Sequence, residues 1–149
     1  QIDHDENAVS IHVRRGDYLE PKYWKTTGCV CQLPYYLNAI AEMNKRISQP
    51  SYYVFSDDIA WVKENLPLPK AFFIDWNKGT ESWQDMMLMS RCRHHIICNS
   101  TFSWWGAWLN PRENKTVIMP ERWFRHCETP DICPDKWIKV PINQPDSIQ

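Results

Sequence analysis

Two adjacent arginines, Arg14 and Arg15, stand in the run His12-Val13-Arg14-Arg15-Gly16-Asp17, directly after the apolar stretch Ala8-Val9-Ser10-Ile11. That stretch reads as a buried β-strand. Its end therefore carries an imidazole, two guanidinium groups and a carboxylate, with a glycine where the backbone turns. Guanidinium groups at the end of a buried strand are costly unless an anion neutralises them. Their planar forks match phosphate oxygens better than any other side chain does. The chemistry this predicts is phosphate binding.

A second cluster, Asn99-Ser100-Thr101-Phe102-Ser103, places hydroxyls and free backbone N–H groups at the start of a helix. Helix starts seat phosphate, and Ser100, Thr101 and Ser103 are the candidate ligands. Plain N-capping is the competing explanation. Asp57, Asp58 and Asp85 are candidate acceptors for the base or ribose of a nucleotide, with helix capping as their alternative role. Asp57 and Asp58 are adjacent, so they lack the D-x-D spacing that holds a divalent cation. A site needing no metal follows, with arginine in the cation's place. The absence of G-x-x-x-x-G-K-[ST], G-x-G-x-x-G and H-E-x-x-H patterns excludes P-loop, common dinucleotide and zincin readings.

The elements that must position these groups alternate between strand and helix. Strands are expected at Ala8–Val13, Tyr52–Phe55, Ala71–Ile74, His95–Cys98 and Thr116–Met119. Helical spacing of Tyr36, Ile40, Met43 and Ile47 predicts a helix from Pro34. Asp57 or Asp58 caps a second helix through Asn65, and Ser82-Trp83-Gln84-Asp85 has the form of a capping box opening a third through Cys92. Trp137–Val140 is expected to dock back on the body. The fold class is α/β: a Rossmann-like parallel sheet with helices on both faces. In a sheet of order 3-2-1-4-5, the arginine motif and the serine cluster would face one crevice at the carboxyl ends of strands one and four. The connection Glu20–Gln32, directly after the arginines, is expected to border the ligand.

The 149 residues suffice for one domain with a real core. A formal charge of -1 argues against nucleic acid as a partner, since charge must act locally. No apolar run is long enough to span a membrane, and no charged-then-apolar leader opens the chain. The polar start without methionine reads as a piece of a longer protein. Among six cysteines, Cys92 and Cys98 read as buried thiols of a reducing compartment. A zinc site from Cys29, Cys31, Cys127 and Cys133 is the metal alternative. Nine tryptophans serve packing or, alternatively, sugar stacking. Helical spacing of Trp104, Trp105 and Trp108 favours packing for at least two of them.

His12-Val13-Arg14-Arg15-Gly16-Asp17-Tyr18-Leu19, Tyr53-Val54-Phe55-Ser56-Asp57-Asp58 and the run from Asn99 through Ser103 to Trp104-Trp105-Gly106-Ala107-Trp108 together resemble bacterial α-1,2-fucosyltransferases of glycosyltransferase family 11. The three motifs occur in the family's order. The resemblance implies a GT-B architecture, of which residues 1–149 would be the C-terminal, GDP-sugar-binding domain. The family's glycine-rich Gly-Leu-Gly-Asn-Gln segment, part of an N-terminal acceptor domain, does not occur here. The implied reaction is inverting, metal-independent transfer of fucose from GDP-β-L-fucose to the 2-hydroxyl of a terminal galactoside.

Carried onto this sequence, the resemblance implies that Arg14 holds the β-phosphate and His12 contacts phosphate or ribose. Arg15 supports the loop, Ser100, Thr101 and Ser103 bind pyrophosphate, and Asp85 and Asp58 meet the nucleoside. Asp17 is the nearest carboxylate to act as base. The implied partners are GDP-fucose and a galactose-terminated oligosaccharide. The implied setting is the bacterial cytoplasm, with peripheral association of the full-length enzyme at the inner membrane surface as an option. A non-catalytic carbohydrate-binding module that uses exposed tryptophans is the alternative function.

Overall fold

Ala8–Val13 forms β1, buried along its whole length in the computed structural model, which describes residues 1–143. A strand buried on both faces must be central. Indeed β1 pairs in parallel with β2 (Ser51–Ser56) on one side and β4 (His94–Ile96) on the other. β3 (Ala71–Ile74), β5 (Val117–Pro120) and β6 (Ile138–Val140) complete one parallel sheet of order β3-β2-β1-β4-β5-β6. This is the order expected from the sequence, extended by one strand. The segment expected to dock back on the body does so as β6, with Ile138 and Val140 in register with Ile118 and Pro120.

Alternation along the strands supplies two cores. Val9, Ile11, Val13, Tyr52 and Val54 face one layer, which is closed by Tyr35, Tyr36, Ala39, Ile40 and Met43 of α2 (Leu33–Arg46) and by Val62 of α3 (Ile59–Asn65). Ala8, Tyr53 and Phe55 face the other layer with Met89 of α4 (Trp83–Arg91), which packs on α5 (Thr101–Trp108). Gly106 makes that helix pair possible: a Cβ there would lie 3.0 Å from the Met89 Cβ.

Three local expectations are corrected. The capping box at Ser82 does not form. Ser82 already has helical dihedrals and makes no side-chain cap bond, because a 3-10 turn (Gly79–Glu81) leads into the helix. The Glu20–Gln32 connection is not plain loop; it winds into a helical turn, α1 (Pro21–Tyr23), and a π-type turn (Trp24–Gly28). Of the helical tryptophans, Trp105 and Trp108 stay exposed. Trp108 only stacks on Trp104, whose indole N–H donates to the Ile132 carbonyl at 2.7 Å. Trp123 and Trp137 are the buried ones. Among the described residues, no helix is long and apolar enough to cross a membrane.

Candidate functional site

Beyond the carboxyl ends of β1, β2 and β3 opens a crevice of about 610 Å³, in the size range of small-molecule sites. His12 and Arg14 enter it from β1, Ser56 and Asp57 from β2, Asp85 from α4 and Phe102 from α5. An opening of about 710 Å³ on the edge strand β3 and one of about 500 Å³ beside β5 and β6 hold no part of the arginine motif. Chemistry rather than size singles out the first.

The two arginines divide their work. Arg15 is 15% exposed and lies over the Trp61 ring at 4.1 Å, with its Nε 3.3 Å from Asp58. Asp58 also caps α3 by accepting from the Trp61 N–H at 3.1 Å. These contacts bind the arginine loop to α3. Arg14 is 38% exposed and is the guanidinium that reaches the crevice. Asp17 grips its side edge with both oxygens, 3.0 Å from Nε and 3.1 Å from Nη2. That fork lowers the Asp17 pKa and raises that of Arg14.

His12 is buried, with Nδ1 3.4 Å from the Cys98 thiol. Burial first, then the Arg14 charge, pushes its pKa down to about 3. It is therefore a neutral imidazole at the wall of the crevice. Asp85 sits at the far side of the crevice and accepts from the Asn77 amide at 2.7 Å. Partial burial raises its pKa, and the Asn77 bond opposes that shift.

The serine cluster is placed differently from the arginines. Ser103 is buried, with its hydroxyl 3.2 Å from the Ser100 carbonyl and 3.4 Å from that of Cys98. Ser100 is also buried, Thr101 is exposed, and Phe102 is the residue of the cluster that lines the crevice. Sequence reasoning missed Asn77, Lys78 and Asp75, which line the crevice from the irregular stretch after β3. No periodicity marks that stretch; only Gly79, at φ 59°, betrays a tight turn.

The Glu20–Gln32 connection, expected to border the ligand, contributes no residue to the crevice lining; Asn99 ties it to the body instead. Its amide donates to the carbonyls of Thr27 at 2.8 Å and Trp123 at 2.9 Å, and its own carbonyl accepts from Tyr18 at 2.9 Å. Gly28 closes the same loop so tightly that a Cβ would collide with the Tyr18 carbonyl. Backbone cannot yield as a flexible side chain does, so Gly28→Ala should cost about 3 kcal/mol through overpacking. Urea denaturation will show this as a lower midpoint at unchanged slope; an unchanged midpoint would contradict the reading.

Among the described residues, no three His, Cys, Asp or Glu side chains converge as a metal-ion site. The zinc alternative from Cys29, Cys31, Cys127 and Cys133 therefore finds no ligand set. All six thiols are free, with Cys31, Cys92 and Cys98 buried.

A parallel sheet that delivers an arginine and a neutral histidine to a crevice at its carboxyl edge defines a Rossmann-like α/β domain. Comparison with known families then gives the particular lineage. Residues 2–140 match the Glycosyl transferase family 11 profile, and the chain belongs to that family. It is 38% identical over 138 residues to an alpha-1,2-colitosyltransferase of Escherichia coli, covering 90% of this chain and 48% of the relative. It is 37% identical over 135 residues to the O-antigen biosynthesis glycosyltransferase WbnK of Escherichia coli, covering 90% and 45%. It is 34% identical over 111 residues to galactoside alpha-(1,2)-fucosyltransferase 1 of Ateles belzebuth, covering 72% and 30%. The chain thus spans about half or less of the length of these relatives.

Proposed function

We propose that this domain binds the donor, GDP-β-L-fucose, of an inverting α-1,2-fucosyltransferase acting on a terminal galactoside. One observation carries the reading: in a family 11 chain, the half-exposed cation Arg14 stands at the end of the central strand, over the crevice. In transfer, the bond between the anomeric carbon and the β-phosphate oxygen breaks, and its electron pair stays on that oxygen. Arg14 neutralises the charge that develops, the work a divalent cation would otherwise do. The acceptor 2-hydroxyl attacks from the opposite face and gives up its proton.

Asp17, the carboxylate that grips Arg14 beside the crevice, is the group proposed to take that proton. Held low by Arg14, it is a weak base, which suits a path where the leaving group departs ahead of proton transfer. Neutral His12 supplies a hydrogen bond without charge. Asp85 suits guanine, whose Watson–Crick edge offers adjacent N–H donors to a carboxylate. The other partner is a galactose-terminated oligosaccharide. Buried unpaired thiols support a cytoplasmic setting, with the full-length enzyme at the inner membrane surface.

Calorimetric titration with GDP, GMP and UDP, with and without chelator, tests this. GDP should bind most tightly, and chelator should change nothing. Absence of nucleotide binding alongside retained galactoside binding would favour a carbohydrate-binding module built on exposed tryptophans such as Trp83 and Trp105. Fucose transfer should require the remainder of the enzyme. Because one relative is named a colitosyltransferase, fucosyl and colitosyl donors should be compared in that assay.

A further inference from the structure

We propose that Asp57 is a positioning residue for Arg14, acting through the turn at Gly16 rather than by touching the nucleotide. The inference rests on the donor-binding reading above. Three contacts converge on this carboxylate. Oδ1 accepts the backbone N–H of Arg15 at 2.8 Å. Oδ2 stands 3.8 Å from Arg14 Nε. The same Oδ2 occupies the space where a side chain at position 16 would begin, 2.5 Å from a Cβ placed there. A side chain at 16 would therefore have to displace the carboxylate of a residue 41 positions away along the chain. The turn and the carboxylate form one lock between the ends of neighbouring strands β1 and β2.

The lock decides which edge of Arg14 is free. Asp17 takes Nε and Nη2, and Asp57 flanks the same Nε. Among the described residues Nη1 makes no hydrogen bond, so the outer end of the guanidinium is the part left for an anion. An acidic side chain lining a diphosphate site is otherwise unfavourable, since it repels the ligand. Its place is explained if it aims the cation.

The test is titration of the protein with GDP and GMP, whose difference isolates the β-phosphate. Asp57→Ala should reduce the GDP-over-GMP preference about tenfold, the loss of a well-aimed charge-assisted contact. GMP affinity should stay within about twofold, whereas general loosening would weaken both nucleotides alike. Asp57→Asn keeps an oxygen for the Arg15 N–H and should restore most of the preference. Gly16→Ala should reproduce the loss, and should add little once Asp57 is already alanine, because the collision partner has gone. A preference unchanged in Asp57→Ala, or a Gly16→Ala effect that persists in full in that background, overturns the inference. A wild type that does not distinguish GDP from GMP instead overturns the donor-binding reading itself.

Discussion

Arg14→Ala should weaken GDP binding by two to three orders of magnitude, about 3–4 kcal/mol, the scale of losing one preorganised charge-stabilising group. Two effects add. The guanidinium's charge-assisted bonds to phosphate are lost. The Asp17 and Asp57 carboxylates that now share its charge are also left facing the ligand without it. Arg14→Lys keeps the charge but not the fork, because an ammonium cannot meet Asp17 with one edge and phosphate with another. That variant should lose about tenfold. Calorimetry on both variants, with Lys78→Ala beside them, gives a clear outcome. If Arg14→Ala binds GDP within twofold of wild type while Lys78→Ala does not, the site's cation is Lys78 of the crevice rim.

Acid should begin to destabilise this domain before its carboxylates titrate, and the chief cause lies in two buried histidines. His95 has no exposed surface. Its Nε2 is 2.8 Å from the Asn110 amide nitrogen, and its Nδ1 is 2.7 Å from the Ser10 hydroxyl. Asn110 cannot turn over, because its nitrogen also donates to the Cys92 carbonyl and its oxygen accepts the Arg112 N–H. Nε2 must therefore be the unprotonated nitrogen, and a second proton there would face an amide donor. Burial, followed by the charges of Lys115, His94 and Arg112, pushes the His95 pKa down to about 3, as burial does for His12.

Unfolded, each histidine titrates near 6.5. Between these values the unfolded chain binds more protons, so stability rises with pH there. The contribution is complete above about pH 6.5 and is lost as pH falls toward 3, at a limiting slope of about 1.4 kcal/mol per pH unit for each histidine. Denaturant unfolding measured from pH 7 to pH 5 should trace that slope. In His95→Gln the slope should drop, with His12 and His94 supplying what remains, whatever the variant's absolute stability. Identical slopes for both proteins would show that His95 is not the proton acceptor.

Much of this could be read from residue order alone. The runs Ala8–Val13 and Tyr52–Phe55 read as strands with a helical pattern between them, which dictates the parallel crossover that puts Arg14 at a crevice. What could not be read depends on distance in space. Asp57 and Asp58 are neighbours in sequence, yet one is seated over Gly16 and the other caps α3 and holds Arg15. The Ser103 hydroxyl turns to carbonyls three and five residues back, a local option always open to serine. Lys78 and Asn77 come from a stretch without periodic pattern, so only the folded chain brings them to Asp85. Trp105 and Trp108 have core spacing, but the helix turns Gly106 and Ala107 inward instead.

The Asn99 knot has a consequence for how such domains diversify. Its amide grips the loops at Thr27 and Trp123 through their main-chain oxygens, and so is blind to the side chains those loops carry. The exposed residues of these loops can therefore be exchanged while the anchor keeps its geometry, provided buried Val30, Cys31 and Trp123 stay. Grafting the exposed positions of the 20–32 and 121–133 segments of a relative onto this scaffold, with Asn99, Gly28, Val30, Cys31 and Trp123 retained, is accordingly the economical route to altered loops on an unaltered frame.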